Sequence, residues 1–342
     1  MSSRWFLAAL VGLTLASCSD DQVGTDAAGG ATSLATAPAD ADLQVGTMPT
    51  NDTARPDTSG PDTAGPETGG PGSGGPAARI TTPLDASAIA TEFDNAFDVI
   101  LDPASPPSTV EAAGVQIQLV LRYLANHSDL DADVLAALSP SSAPSLHRII
   151  AARQLGQAHA AADPTPTEPP TTLPAWTIAA PDDVVVLRSL YDEAESLTGV
   201  PWYWLAAIHL QETRMGRIVG VSSAGAVGPM QFLPATWADC CVGDPLSTHD
   251  AIIGAATYLI QSGAPADMAA AVHQYNPNDR YVATVTAYAE SMRDQPQLLA
   301  AFHGWQVFTS SSAGTVRLPI GYAAAVPVDA ATYLAAHPDD AA

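Results

Sequence analysis

The chain has 342 residues and a large excess of acidic side chains, with 36 Asp and Glu against 12 Arg and no Lys. The formal net charge of -24 leaves no basic surface for neutralising phosphates, which excludes an electrostatic nucleic-acid-binding protein. The length suits one or two packed domains of roughly 100 to 200 residues each. Three cysteines are too few for a disulfide framework in a chain of this size, so the core must come from apolar packing.

Residues 1–18 have the pattern of an export signal rather than of a folded segment. Arg4 precedes an apolar run over residues 5–15, which is too short to span a bilayer as a helix. The sequence Leu-Ala-Ser-Cys that ends at Cys18 resembles a bacterial lipobox, which implies a lipid anchor on Cys18 at the outer face of a bacterial membrane. The alternative is an ordinary secretory signal with an incidental cysteine. Both interpretations take the protein out of the cytoplasm.

Residues 19–79 are rich in Asp, Thr, Ala, Pro and Gly and contain few large apolar side chains. Such a segment cannot bury enough surface to offset its ordering entropy, so we expect a disordered tether. Residues 80–162 show helical periodicity and predict a small helical bundle, in which Asp85 caps the first helix. Ser108 to Glu111 fit a capping box for the second helix. We assign this bundle to packing or to contact with a cell-wall protein.

The proline-rich stretch of residues 163–180 predicts a linker and a domain boundary. In residues 181–295, Asp183 is placed to cap a helix that ends at Gly199. Pro201 is expected in the first turn of the next helix.

Glu212 is the candidate catalytic group. It ends the apolar stripe formed by Trp204, Leu205 and Ile208 and lies in the last helical turn. Burial and the negative end of the helix dipole both disfavour its charged form, so its pKa should be raised. A raised pKa suits a carboxylic general acid at neutral pH. The alternative is a solvated Glu at a frayed helix end.

Two further segments carry groups suited to a sugar ligand. Residues 225–237 combine glycines, which let backbone approach a ligand closely, with the amide of Gln231. Residues 273–282 place aromatic rings beside amide side chains at a corner between two helices. Rings stack on sugar faces and amides bond directionally to hydroxyls. For the tryptophans nearby, core packing is the alternative interpretation.

In this order and spacing, Glu212-Thr213-Arg214, residues 225–237 and residues 274–282 resemble the bacterial lytic murein transglycosylases, nearest to the membrane-bound B-type branch. The resemblance covers about residues 182–292 and implies a lysozyme-like, mostly α-helical domain that cleaves peptidoglycan glycan strands. It implies that Glu212 is the catalytic acid and base. The substrate-binding residues that it implies are Ser222, Met230, Gln231, Tyr275, Asn276 and Tyr281.

The resemblance also implies the reaction: cleavage of the β-1,4 bond between N-acetylmuramic acid and N-acetylglucosamine with formation of a 1,6-anhydro sugar, and no cofactor. Two alternatives stay open. One is a hydrolytic muramidase on the same fold, which would need a second carboxylate. The other is a catalytically silent peptidoglycan-binding lipoprotein.

We expect no metal site. Residues 238–249 lack the alternating ligands of the calcium loop found in the nearest branch, and His209 and Glu212 have no third ligand beside them. The adjacent Cys240 and Cys241 are either joined in a ring or reduced.

The C-terminal part predicts a different local structure. Within residues 296–322, two short β-prone runs flank a Ser/Gly-rich turn and indicate one β-hairpin. We expect residues 323–342 to be a flexible tail. The predicted fold class is therefore mostly α-helical, with a short β-hairpin near the C-terminus.

Overall fold

The computed structural model describes Ile80, residues 84–162 and residues 168–342 of the chain. The predicted lipidation site Cys18, the predicted tether and residues 163–167 of the predicted linker lie outside the described residues. The described residues are mostly α-helical with one short hairpin, as predicted, and they form one compact unit. No helix among them is both long enough and apolar enough to cross a bilayer.

The helices are numbered in chain order. Their bounds are α1 Ala86–Leu101, α2 Pro107–Ala125, α3 Asp131–Ala137, α4 Ala143–Ala162, α5 Val184–Thr198, α6 Trp202–Thr213, α7 Pro234–Cys240, α8 Thr248–Gln261, α9 Met268–Tyr275, α10 Asp279–Asp294, α11 Leu298–His303 and α12 Ala330–Ala336. Short 3-10 turns occur at Ser128–Leu130 and Pro338–Asp340.

The strands form three small antiparallel pairs. Their bounds are β1 Thr172–Leu173, β2 Thr177–Ile178, β3 Ile218–Val219, β4 Val307–Ser311, β5 Gly314–Leu318 and β6 Val328–Asp329. Strand β1 pairs with β6, β2 with β3, and β4 with β5. The β4–β5 pair is the predicted hairpin, in which Val307 lies opposite Leu318 and Ser311 opposite Gly314.

One hydrophobic core joins the helices of residues 84–162 to those of the candidate catalytic segment. Helix α10 packs against both α4 and α6, and helix α2 packs against α11. Phe93 and Phe97 of α1 belong to the same buried cluster as Leu205 of α6 and Tyr288 of α10. The N-terminal helices therefore support the helix that carries Glu212.

The contact between α2 and α11 depends on glycine. A Cβ added at Gly114 would lie 1.9 Å from the carbonyl oxygen of Ala301, and one added at Gly304 would lie 2.5 Å from the carbonyl oxygen of Glu111. Neither carbonyl can move without shifting a helix. The backbones of α2 and α11 thus approach at distances that side chains would prevent.

Gly114→Ala is therefore expected to lower the free energy of unfolding by about 2 kcal/mol or more, through overpacking against fixed backbone. Gly156→Ala in α4 is the matched control, because the three atoms nearest to a Cβ there all belong to the Arg280 side chain, with Cδ at 2.5 Å and Cγ at 3.1 Å. That side chain can move aside, and Ala favours a helix over Gly by up to about 1 kcal/mol. Equal unfolding midpoints for the two variants in urea would contradict this packing.

Local capping signals predict several helix ends correctly. The carboxylate of Asp85 accepts from the N–H of Ala88 at 2.8 Å, and that of Asp183 accepts from the N–H of Val185 at 2.7 Å. Gly199 ends α5 in the left-handed conformation, with φ 79°. The prediction of a capping box at Ser108 is wrong, because α2 begins one residue earlier, at Pro107, and has no side-chain cap. A first-turn proline, with its φ already helical, sets this start.

The C-terminal residues differ from the expected flexible tail. They form β6, α12 and a 3-10 turn, and the buried carboxylate of Asp340 lies 2.8 Å from Arg317 Nη2 and accepts from the Tyr333 hydroxyl at 2.8 Å. This order comes from contacts distant in sequence, which an Ala-rich segment without periodicity does not reveal. The strands and tail enclose a second, smaller core of Leu173, Ile178, Ile218, Val307, Val316, Leu318, Tyr322 and Ala330.

Candidate active site

Helix α6 carries Glu212 in its last turn, as the sequence predicts. The helix is buried on nearly all sides, because α5 and α10 pack against it, whereas the sequence indicated one apolar stripe. Glu212 itself keeps partial exposure. A partly exposed carboxyl group at the end of an otherwise buried helix is surrounded by apolar packing on one side and reachable from the other.

Three successive residues in the left-handed conformation reverse the chain after Glu212. Arg214 and Met215 have φ of 55° and 58°, and Gly216 has φ of 87°. Non-glycine residues rarely adopt this conformation, and it costs about 1 kcal/mol or more at each of them. The Arg214 guanidinium donates to the carbonyl of Leu210 at 2.7 Å, and the Gly216 N–H donates to the Thr213 hydroxyl at 3.0 Å. These bonds hold the strained turn beside the carboxylate.

Burial raises the pKa of the Glu212 carboxyl from 4.5 to about 7. The hydroxyl of Tyr281 donates to Glu212 Oε1 at 2.5 Å, which favours the charged form and acts in the opposite direction. The rise agrees in direction with the sequence expectation. Glu212 can therefore both hold and release a proton near neutral pH.

Tyr281 lies in the first turn of α10 with only 1% of its surface exposed. Asn278 caps this helix, since its side-chain oxygen accepts from the N–H groups of Arg280 and Tyr281. Burial, together with the charge of Glu212, raises the pKa of Tyr281 well above 10. The phenol therefore remains protonated and serves as a donor to the carboxylate.

The loop between β3 and α7 is tied to helix α6 next to the carboxylate. The Thr213 hydroxyl donates to the carbonyl of Pro229 at 2.6 Å. Inside the loop, Val227 and Phe232 form an isolated antiparallel bridge. A Cβ at Gly228, which has φ of 76°, would lie 1.9 Å from the carbonyl oxygen of Pro245. Only glycine suits that position, so the loop has a fixed shape.

Ser222 and Gln231 use their side chains to shape this loop. The Ser222 hydroxyl accepts from the N–H of Ala226 at 2.9 Å. The Gln231 amide donates to the carbonyl of Gly228 at 2.8 Å, and its backbone has φ of 49°. Gln231 is partly exposed, so its amide oxygen can still meet a ligand.

Met230 lies beneath the loop. Its side chain is fully buried in the main core, so it packs under the loop and does not line a surface, contrary to its predicted substrate-binding role. The Tyr275 hydroxyl donates to the Met230 carbonyl at 2.6 Å. The Tyr275 ring also contacts Phe232 and Tyr258, with centroids 5.6 and 5.7 Å apart. This aromatic cluster fixes the loop to helix α9.

Among the described residues, hydrogen bonds join some of the predicted site residues to one another but not all of them. Direct hydrogen bonds connect Glu212 to Tyr281 and Tyr275 to Met230. Asn276 is buried at the C-terminal end of α9, and no described residue bonds to its side-chain amide. Among the described residues, no hydrogen bond links Ser222, Gln231 or Asn276 to Glu212.

Sequence reasoning missed the structural role of Thr213. The residue appeared only as part of the Glu212-Thr213-Arg214 motif. Its position next to the candidate acid was the available signal, but the hydrogen bond to Pro229 depends on tertiary packing.

His209 and the neighbouring pair Cys240 and Cys241 each have a partner in the folded structure. His209 Nδ1 lies 2.8 Å from the Tyr191 hydroxyl, and burial lowers the pKa of His209 to about 3, so the ring is neutral. Cys240 and Cys241 form a disulfide with each other. Within the described residues, no three His, Cys, Asp or Glu side chains gather as a metal site would require.

Comparisons with known proteins give one partial likeness. No protein-family model matches the chain, and no solved structure matches it. A stretch of 73 residues is 37% identical to membrane-bound lytic murein transglycosylase F of Thiobacillus denitrificans. The stretch covers 21% of this chain and 15% of the relative, so most of each protein lies outside the likeness. Over about a fifth of its length, the chain is therefore similar to a lytic murein transglycosylase.

Proposed function

We propose that the protein is a lytic transglycosylase that cleaves the β-1,4 bond between N-acetylmuramic acid and N-acetylglucosamine in peptidoglycan. The observation that carries this proposal is the Glu212–Tyr281 pair, in which a carboxyl group with a pKa of about 7 lies 2.5 Å from a protonated phenol. The partial likeness to a murein transglycosylase supports the same reaction class.

In the proposed first step, protonated Glu212 donates its proton to the oxygen that bridges the two sugars. The bond from this oxygen to C1 of N-acetylmuramic acid breaks, and an oxocarbenium-like state develops on that sugar. Glu212 is now a carboxylate. The Tyr281 hydroxyl stabilises this charge through its hydrogen bond, which is stronger to an ionised acceptor.

In the proposed second step, the same carboxylate removes the proton of the C6 hydroxyl. The C6 oxygen attacks C1 and closes a 1,6-anhydro ring, so no water is consumed and Glu212 regains its proton. A pKa of about 7 suits both steps, because the group exchanges protons easily in either direction at neutral pH.

A single carboxylate favours this route over hydrolysis. Ordinary glycosidases place a second carboxyl group roughly 5 to 9.5 Å from the first, to act as a nucleophile or to activate water. The causes that shift the pKa of Glu212 are burial and the Tyr281 hydrogen bond, and the charge of a second described carboxylate is not among them. The intramolecular C6 hydroxyl takes the place of that activated water.

We assign glycan binding to the residues around this pair. Gln231 and Asn276 offer amide groups at the loop and at the α9–α10 corner. Tyr275, whose hydroxyl donates to the Met230 carbonyl, offers its ring, and Ser222 holds the loop in shape. Met230 supports the loop from the core. The predicted lipid anchor at Cys18 would keep the enzyme in the cell envelope, within reach of peptidoglycan.

Digestion of purified peptidoglycan sacculi tests the proposal. We expect the soluble fragments, separated and weighed by mass spectrometry, to end in 1,6-anhydro-N-acetylmuramic acid. Each such fragment is lighter by one water than the corresponding hydrolysis product. Fragments with reducing ends would identify a hydrolytic muramidase instead, and an absence of fragments with retained sacculus binding would identify a binding lipoprotein.

A further inference from the structure

Trp176 lies next to the loop of the candidate site, although it belongs to the segment before helix α5. Strand β2 pairs with β3 so that Thr177 is opposite Val219, which places Trp176 opposite Gly220. A Cβ added at Gly220 would lie 2.5 Å from Cδ1 of the Trp176 ring. The indole therefore rests on the backbone of the residue that opens the loop.

The Trp176 backbone is held on both sides. Its N–H donates to the carbonyl of Pro174 at 3.0 Å, and its carbonyl accepts from the N–H of Ala324 at 2.9 Å. Part of the ring packs against the smaller core, and the remainder is exposed. No described residue hydrogen-bonds to the indole N–H. A fixed, partly exposed indole offers an apolar face and an N–H donor, with little entropy left to lose on binding.

Gly220 connects Trp176 to the loop of the candidate site. Gly220 begins the loop that contains Ser222 and Gln231, and the Thr213–Pro229 hydrogen bond ties that loop to the turn after Glu212. A glycan strand is longer than the two sugars at the scissile bond. Sugars beyond those two need a further surface, and the loop that leads to Gly220 and Trp176 adjoins the residue that follows Glu212.

We propose that Trp176 stacks against a sugar of the glycan strand, outside the two sugars that flank the scissile bond. The proposal rests on the proposed function. The apolar C–H face of an N-acetylhexosamine would cover the exposed indole face, while the indole N–H would donate to a sugar oxygen. Trp176 then contributes to strand affinity and takes no part in proton transfer.

Binding of a β-1,4-linked N-acetylglucosamine hexamer to the full chain carrying Glu212→Gln tests the proposal by calorimetry. Adding Trp176→Leu, which keeps apolar packing but removes the planar ring, is expected to weaken binding about 5- to 10-fold. Gly220→Ala, whose Cβ displaces the ring without removing it, is expected to weaken binding as well. Val219→Ala is the matched control. Val219 precedes Gly220 in the chain and is 54% exposed, so this variant should leave the affinity unchanged.

With Glu212 intact, Trp176→Leu should raise KM for sacculi and leave kcat unchanged. If the Trp176 ring serves only to cover Gly220, Trp176→Leu and Gly220→Ala lower the unfolding temperature but leave hexamer affinity at the value of the Glu212→Gln parent. That result overturns the proposal. Failure of the proposed function has a different signature, because the Glu212→Gln parent then does not bind the hexamer and the wild type does not cleave sacculi.

Discussion

Glu212→Gln is expected to reduce cleavage of sacculi by at least about 1,000-fold. General acid or base catalysis by one group contributes roughly 100- to 10,000-fold, and here one carboxyl group is assigned both proton transfers. Glutamine keeps the shape of protonated Glu212 and can still accept from the Tyr281 hydroxyl, so the fold and the bound strand should be preserved. The measurement is the rate at which soluble muropeptides are released from labelled sacculi.

Two comparisons make this result specific. Glu168→Gln removes a carboxylate from an exposed residue ahead of β1 and should leave the rate unchanged. Sacculus co-sedimentation of the Glu212→Gln variant should equal that of the wild type, which separates a chemical defect from a binding defect. Retention of more than a tenth of the wild-type rate would remove Glu212 from the chemistry.

The features that sequence predicts well are local ones. Asp85, Asp183 and Gly199 set helix ends through bonds or backbone angles within a few residues, and the structure confirms each of them. The raised pKa of Glu212 was also accessible from the sequence, because its place at the end of an apolar helix already indicates burial. Such inferences need only the spacing of residues along one element.

The features that sequence misses depend on contacts between distant elements. The hydrogen bond from Tyr281 to Glu212 joins residues 69 positions apart, and no local pattern shows that the two will meet. Met230 is another example, since a motif position does not reveal that its side chain points into the core. The left-handed turn at Arg214 and Met215 is equally hidden, because these residue types rarely adopt that conformation on their own.

Glu212 is also expected to make the stability of the protein depend on pH in a direction opposite to that of a salt-bridged carboxylate. Its pKa rises from 4.5 to about 7 on folding because of burial, so the folded protein retains a proton that the unfolded chain releases between these pH values. When the folded state binds more protons, the free energy of unfolding falls as pH rises. The stabilising effect of the neutral carboxyl is complete below about pH 4.5 and lost by about pH 7.

Glu212→Gln places a permanently neutral group at the same position, so it should escape this loss. Its free energy of unfolding should match that of the wild type near pH 4 and exceed it by about 3 to 4 kcal/mol at pH 8, since each unit of the pKa shift corresponds to about 1.4 kcal/mol. Urea unfolding of both proteins across this pH range measures the difference, with Glu168→Gln as the exposed control. A difference that does not grow with pH would mean that the folded protein holds Glu212 ionised at neutral pH. The inactive variant would then have lost a carboxylate rather than an acid, and the order of the two proton transfers would have to be reversed.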